Sequence, residues 1–156
     1  MRAAGLVVMT ILSALFAPMA AAGPTVRSVS DPALMRLFEE VIARGGYGGL
    51  QTERTAFIVQ GADGSLHCQL WPYSNEYHRQ SWSGVMPSGT VAIAHTHPNC
   101  CRDASPGDRE TARSLGLPFF ILTSRSVVII NPDGTSGGSV AQRWKSPVAE
   151  ACSVTR

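Results

Sequence analysis

Leu34, Leu37, Phe38, Val41 and Ile42 recur at the three-and-four spacing that lines one face of a helix. Asp31 ahead of Pro32 supplies an N-cap carboxylate and a proline at the first helical position, and Gly45-Gly46 ends the pattern. The period then shortens. Residues 54–60 (RTAFIVQ) and 66–71 (LHCQLW) read as strands joined through Ala62-Asp63-Gly64, a hairpin turn signal. Residues 72–89 are polar and aromatic, punctuated by Pro72, Pro87 and Gly89, with room for a short helix. Residues 90–95 (TVAIAH) predict a buried strand. Ser105-Pro106 starts a second helix that runs to about Leu115 and closes at Gly116 and Pro118. Residues 119–123 (FFILT) and 126–130 (SVVII) predict two more strands, followed by a turn at Asn131-Pro132-Asp133-Gly134 and a final strand near Val140 to Trp144.

The order helix, strand, strand, strand, helix, strand, strand predicts a mixed α/β fold, a single central β-sheet flanked by helices. Apolar runs such as 91–94 and 127–130 predict strands covered on both faces. Residues 23–30 read as a polar linker, 31–145 as the folded domain and 146–156 as a C-terminal tail.

Composition narrows the class. The chain has 156 residues, 44% hydrophobic and 15% charged, which suits one ordinary domain and excludes a disordered tail. The net charge of +2 comes from scattered arginines, and Lys145 is the only lysine. No basic cluster with interleaved aromatics is present, so a nucleic-acid platform is excluded. A coiled coil is excluded by 15 Gly and 10 Pro.

Residues 1–22 (MRAAGLVVMTILSALFAPMAAA) have the layout of a secretory signal peptide. Arg2 is followed by an uncharged apolar core from Leu6 to Phe16, a break at Pro18 and an A-x-A site in Ala20-Ala21-Ala22. The competing reading is an uncleaved anchor, but the strongly apolar part is short for a bilayer. The expectation is a secreted or periplasmic protein with no stable membrane span after cleavage. Export changes how Cys68, Cys100, Cys101 and Cys152 read. An even count in an oxidising compartment predicts disulfides; the alternative is four free thiols. Bridging the adjacent Cys100 and Cys101 strains the pair, so one of them is expected to join Cys68 and the other Cys152.

The chemistry centres on His95-Thr96-His97-Pro98 at the end of the 90–95 strand. Residues i and i+2 of an extended chain point to the same side, so two imidazoles converge as a metal requires. Asp108 falls in the first turn of the second helix and can point back toward that strand end. Two His and one Asp supply three ligands and leave a fourth position open, the mark of a catalytic rather than a structural zinc site. Ser105-Pro106-Gly107-Asp108 is equally what a capping box with proline at the first position looks like, and the two roles are compatible. Shuffling a chain of this composition produces H-x-H-x7-S-x-x-D only roughly two or three times in ten thousand.

Residues 95–108 (HTHPNCCRDASPGD) resemble the JAMM motif of the JAB/MPN-type zinc metallopeptidases: H-[ST]-H-P, seven residues to a serine, then S-x-x-D. The order of elements over 31–145 also fits that family, whose fold is a JAB/MPN-like, cytidine-deaminase-like layering of sheet and helices. The resemblance implies Zn2+ held by His95, His97 and Asp108, with Ser105 helping to hold the active-site water or oxyanion. It also implies an upstream glutamate as general base. Glu53 is the candidate, three residues ahead of Ala56, where family members often carry glycine. The alternatives are Glu39 and Glu40 in the first helix and Glu76 in the long loop.

Other residues carry two readings each. Glu76 and His78 form either a second metal site or substrate contact, or part of a polar loop. Trp71, Tyr73, Tyr77 and Trp82 either line a substrate groove or cover the sheet. Cys100 and Cys101 stand near the proposed metal, but three ligands are already supplied, and a disulfide rigidifying the loop is the simpler role. The expected function is an exported zinc metallopeptidase that hydrolyses an amide bond in a peptide, an isopeptide-linked protein or a peptidoglycan cross-link peptide. The alternative is a catalytically inactive MPN-like metal-binding or protein-interaction module, which a Glu53 far from the metal ligands would favour.

Overall fold

A computed structural model describes residues 28–76, 80–98, 103–144 and 152–154, the last as backbone alone. The expected leader at 1–22, Tyr77, His78, Cys100 and Cys101 lie outside the described residues. No helix among the described residues is long and apolar enough to cross a membrane.

Helix α1 spans Pro32–Arg44, with Asp31 Oδ1 accepting from Ala33 N at 2.8 Å as its N-cap. Helix α2 spans Pro106–Leu115, capped by Ser105 and closed by Gly116 in the left-handed conformation. The strands are β1 (Thr55–Gln60), β2 (Leu66–Leu70), β3 (Thr90–Thr96), β4 (Phe119–Leu122), β5 (Ser126–Ile130), β6 (Ser136–Ala141) and β7 (Cys152–Val154). They form a mixed sheet of six strands extended at one edge by the short β7, in the order β6-β5-β4-β3-β1-β2-β7. The β1–β2, β1–β3, β4–β5 and β5–β6 pairs are antiparallel. The β3–β4 pair is parallel, with α2 as its crossover.

One helix covers each face. The α1 side buries Leu34, Phe38, Val41 and Ile42 against Ala56, Ile58, Ala92, Ala94 and Phe120. Phe38 packs against Phe120 with ring centroids 5.0 Å apart and a 50° tilt between the rings. The α2 side buries Ala112 among Phe57, Val59, Ile93, Phe119 and Ile121. The strand residues of the two clusters alternate along β1, β3 and β4, as the period of two requires. Central β3 is buried along its whole length, the double coverage its apolar run predicts. Strand β5 departs from that expectation: Val128 and Ile129 are half-buried, because β5 lies next to the edge and each face there is only partly covered.

Three further expectations are corrected. The strand expected at Val140 to Trp144 runs instead over Ser136–Ala141. Its first four residues are Ser and Gly, which carry little strand signal, and pairing with β5 imposes the conformation. Among the described residues of 72–89 there is no helix; Trp82 packs against the α2-side cluster. The C-terminal stretch, expected as a tail, supplies β7 alongside β2 in parallel.

The β2–β7 register sets Cys68 opposite Cys152. It favours a Cys68–Cys152 pairing rather than a tie from Cys68 to the 100–101 loop. Non-reducing peptide mapping of protein from an oxidising compartment is expected to yield a peptide joining Cys68 to Cys152. A Cys68 peptide joined to Cys100 or Cys101 would contradict the register.

Candidate metal centre

Three segments far apart in sequence meet on the α2 side of the sheet. The end of β3 contributes His95 and His97, whose rings stack with centroids 4.7 Å apart. Thr96, between them, faces the α1 side. His97 N donates to Leu122 O at 3.0 Å, so the backbone past β3 stays tied to β4. His95 is also held by the edge of Phe119, at 5.0 Å and 89°. The first turn of α2 contributes Asp108, and the residues ahead of β1 contribute Glu53.

Asp108 is both helix cap and candidate metal ligand. Its Oδ2 accepts from Ser105 N at 2.7 Å, while Ser105 Oγ accepts from Asp108 N at 3.2 Å, a complete capping box. The box fixes the carboxylate so that Oδ1 stands 3.5 Å from His95 Nε2 and Oδ2 stands 3.5 Å from His97 Nε2. One ligand atom from each of His95, His97 and Asp108 lies within 4.8 Å of the others. A tetrahedral shell with bonds of about 2.0–2.1 Å separates its ligand atoms by about 3.4 Å, close to these spacings. His95 Nε2 is buried and has no hydrogen-bond partner among the described residues. A buried orphan nitrogen aimed at a carboxylate and a second imidazole fits a ligand set for a metal ion.

Electrostatics suit the same use. Burial holds the His95 imidazole down at about 4, against the pull of Asp108, so its lone pair is available at neutral pH. Burial raises the Asp108 carboxyl, but hydrogen bonds from His97 and Ser105 and the proximity of His95 outweigh it. Asp108 therefore sits well below the ordinary carboxylate range and is ionised.

Glu53 lies beside this set without joining it. Its Oε1 is 3.9 Å from His97 Nε2, and its side chain is 12% exposed. Burial pushes its carboxyl up, partly offset by His97 and reinforced by the negative charge of Asp108. Thr96 positions it: Arg54 N donates to Thr96 Oγ1 and Thr96 N donates to Arg54 O, both at 2.9 Å. These bonds extend the β1–β3 pairing back to the residue after Glu53. Gly45 allows this contact, since a Cβ there would stand 2.7 Å from Thr96 Oγ1. The periodicity gave no sign of this role for Thr96; a hydroxyl between two metal-facing histidines, on the opposite strand face, was the available signal.

The other candidate glutamates lie elsewhere. Glu39 and Glu40 are on α1, across the sheet, and Glu40 is paired with Arg44 at 2.8 Å. Glu76 is exposed in the long loop, outside the cluster. Ser105 is exposed, and its hydroxyl oxygen serves the cap. Trp71 and Trp82 pack on Phe57 at 5.2 and 5.0 Å, covering the sheet and also walling a cavity beside α2. Tyr73 is 63% exposed, with the Arg54 guanidinium 4.1 Å over its ring. Compared with protein-family models, curated proteins and solved structures, the chain finds no match.

Proposed function

We propose that the chain is an exported, zinc-dependent amide hydrolase of JAB/MPN type. Its substrates would be peptides, isopeptide-linked proteins or peptidoglycan cross-link peptides. The observation that carries this reading is the placement of Glu53: a largely buried carboxylate 3.9 Å from His97, adjacent to the metal-ligand set and outside it. A purely metal-binding module has no need of such a group. The sheet with one helix on each face and the ligands at a strand end and a helix start are what a JAB/MPN-like layering would require.

His95, His97 and Asp108 would hold the ion, with two neutral imidazoles and one carboxylate leaving a single positive charge at the site. A zinc ion there supplies Lewis-acid polarisation of a carbonyl and acidifies a water. Glu53, its pKa raised by burial, accepts the proton of the attacking water. Water adds to the amide carbonyl, the C–N bond breaks, and Glu53 hands the proton to the departing amine. Ser105 Oγ caps α2 and its hydroxyl hydrogen-bonds the Asp108 carboxylate; turned away from Asp108, the same proton would donate to the oxygen on which charge develops.

The test is to incubate zinc-loaded protein spanning 23–156 with isopeptide-linked protein conjugates and with cross-linked muropeptides, and to follow release of new amines. Cleavage of either class that disappears on zinc chelation and returns on zinc addition is the expected result. Stable zinc binding without cleavage of either panel would contradict the hydrolase reading.

A further inference from the structure

Strands β3 and β4 run parallel and end at Thr96 and Leu122, while β5 starts at Ser126 and its antiparallel partner β6 ends at Ala141. The turn from β4 to β5 and the end of β6 therefore stand at the same end of the sheet as His95 and His97. A cavity of about 540 Å³ lies there, lined by Ser124, Arg125, Ala141, Gln142 and Arg143. Val128 belongs to the α2-side cluster, so the period of two puts Ser126 and its partner Ala141 on the same side of the sheet as the two histidines. Neighbouring strands lie about 4.8 Å apart, which sets β5 and β6 about 10 and 14 Å from β3.

The charge of this cavity is unbalanced. Arg125 and Arg143 are exposed, and among the described residues neither guanidinium has a hydrogen-bond or ion-pair partner. By contrast, Arg44 pairs with Glu40 and Arg113 with Glu110. No carboxylate stands among the described residues that line the cavity. The backbones that carry the two cations are tied together in advance. Gln142 N donates to Arg125 O at 2.8 Å, Arg125 N to Thr123 Oγ1 at 3.3 Å, and the Trp144 indole to Thr123 O at 2.7 Å. Like charges held around one concavity repel, and an anion between them turns that repulsion into attraction. The planar fork of a guanidinium matches a carboxylate or a phosphate. Because the backbone is already fixed, binding has only side chains to order.

We propose that this cavity binds a carboxylate of the substrate, about three to four extended residues from the bond cleaved at the metal centre. An extended chain advances about 3.3 Å per residue, which covers the distance from β3 to β5 and β6. The assignment narrows the substrates to acidic peptides and cross-link peptides with free carboxyl groups. A carboxylate is chosen over a phosphate because the reaction proposed for the metal centre takes peptide amides, whose ordinary anion is the carboxylate. The role as a subsite rests on the hydrolase reading, but the anion binding does not require the metal.

The experiment is calorimetric titration of the full chain, zinc-free and zinc-loaded, with the blocked peptides Ac-Ala-Ala-Glu-Ala-Ala-NH2 and Ac-Ala-Ala-Gln-Ala-Ala-NH2. The two differ in charge and hardly in shape. The Glu peptide is expected to bind at least about 5-fold more tightly in both forms, as charge-assisted hydrogen bonds would give. Raising the salt from about 0.05 M to about 0.5 M should shrink that preference, because the cations are exposed. The double variant Arg125→Gln, Arg143→Gln should abolish it, with zinc content and melting temperature unchanged, as expected of surface positions. Arg36→Gln, an exposed cation on α1 across the sheet, removes one positive charge elsewhere and should leave the preference intact. Equal affinity for the two peptides, or a preference that survives in the double variant, would overturn the subsite. Binding of inorganic phosphate without any preference between the peptides would assign the cavity to free phosphate and overturn it equally. The two readings fail separately. Loss of the hydrolase alone would leave the Glu preference intact without turnover. Loss of the subsite alone would leave zinc-dependent cleavage indifferent to a Glu-to-Gln change in the substrate.

Discussion

Zinc content is expected to fall from about one ion per chain to a small fraction in His97→Ala and in Asp108→Ala. Each change removes one of only three protein ligands, and the described residues contribute no other to the cluster. Asp108 also closes the capping box, so two further variants separate its roles. Asp108→Asn keeps an oxygen to accept from Ser105 N but offers a neutral amide in place of a carboxylate. Ser105→Ala removes the cap oxygen and leaves all three ligands, at a cost of about 1 kcal/mol to the helix. Metal analysis after dialysis should therefore show zinc lost in Asp108→Asn and retained in Ser105→Ala. The melting temperatures supply a second readout. A ligand bound to the native state at 100 times its dissociation constant stabilises it by about 2.7 kcal/mol, so zinc should raise the wild-type midpoint and leave that of His97→Ala unmoved. Full zinc occupancy in both His97→Ala and Asp108→Ala would remove these residues from the metal site.

Turnover is expected to fall about 10²–10⁴-fold in Glu53→Gln while zinc stays bound, the usual worth of a positioned acid–base group. The amide has the shape of the carboxylate and can hydrogen-bond, but it cannot take a proton at neutral pH. Glu53 is not among the three ligands, so metal content should hold. Stability should hold or rise, and the sign follows from burial. A carboxyl whose pKa is raised in the folded state disfavours folding when ionised, and a neutral amide avoids that cost. The companion variant is Glu76→Gln, in the exposed loop, which is expected to leave turnover within about twofold of wild type. Wild-type turnover in Glu53→Gln would remove Glu53 from the mechanism, and a collapse confined to Glu76→Gln would move the base to the loop.

Much of this was readable in the chain because local chemistry and tertiary need coincide. Asp31-Pro32 and Ser105-Pro106 announce both helices, since a cap and a proline act within one turn. Strands β1, β3 and β4 announce themselves because their apolar residues face cover on both sides. The histidine pair and Asp108 were legible as a candidate metal-ligand set through their combined spacing and the resemblance, since H-x-H and S-P-x-D each have ordinary structural readings alone. Glu53 was reached only through the resemblance, which implies a glutamate ahead of a strand; what ties down its neighbour is the Thr96–Arg54 pairing, a contact between residues 42 apart. The rest depends on partners that no local pattern encodes. Three residues, Cys152–Val154, are too few to show a period, and only the free edge of β2 makes them a strand. The packing of Trp71 and Trp82 on Phe57 depends on tertiary contact in the same way, because the prolines and aromatics around them specify no repeating element.

The outer strand β6 has one more consequence. All six of its residues are exposed, and among the described residues nothing covers this border of the sheet. Such a border ordinarily recruits passing chains into continuous intermolecular sheets. Here its composition opposes recruitment. Gly137 and Gly138 bring no side chains to pack, Gly138 adopts φ +91°, and the β5–β6 register slips between Ile129 and Ile130. An irregular, glycine-bearing border of this kind makes a poor template for fibril growth.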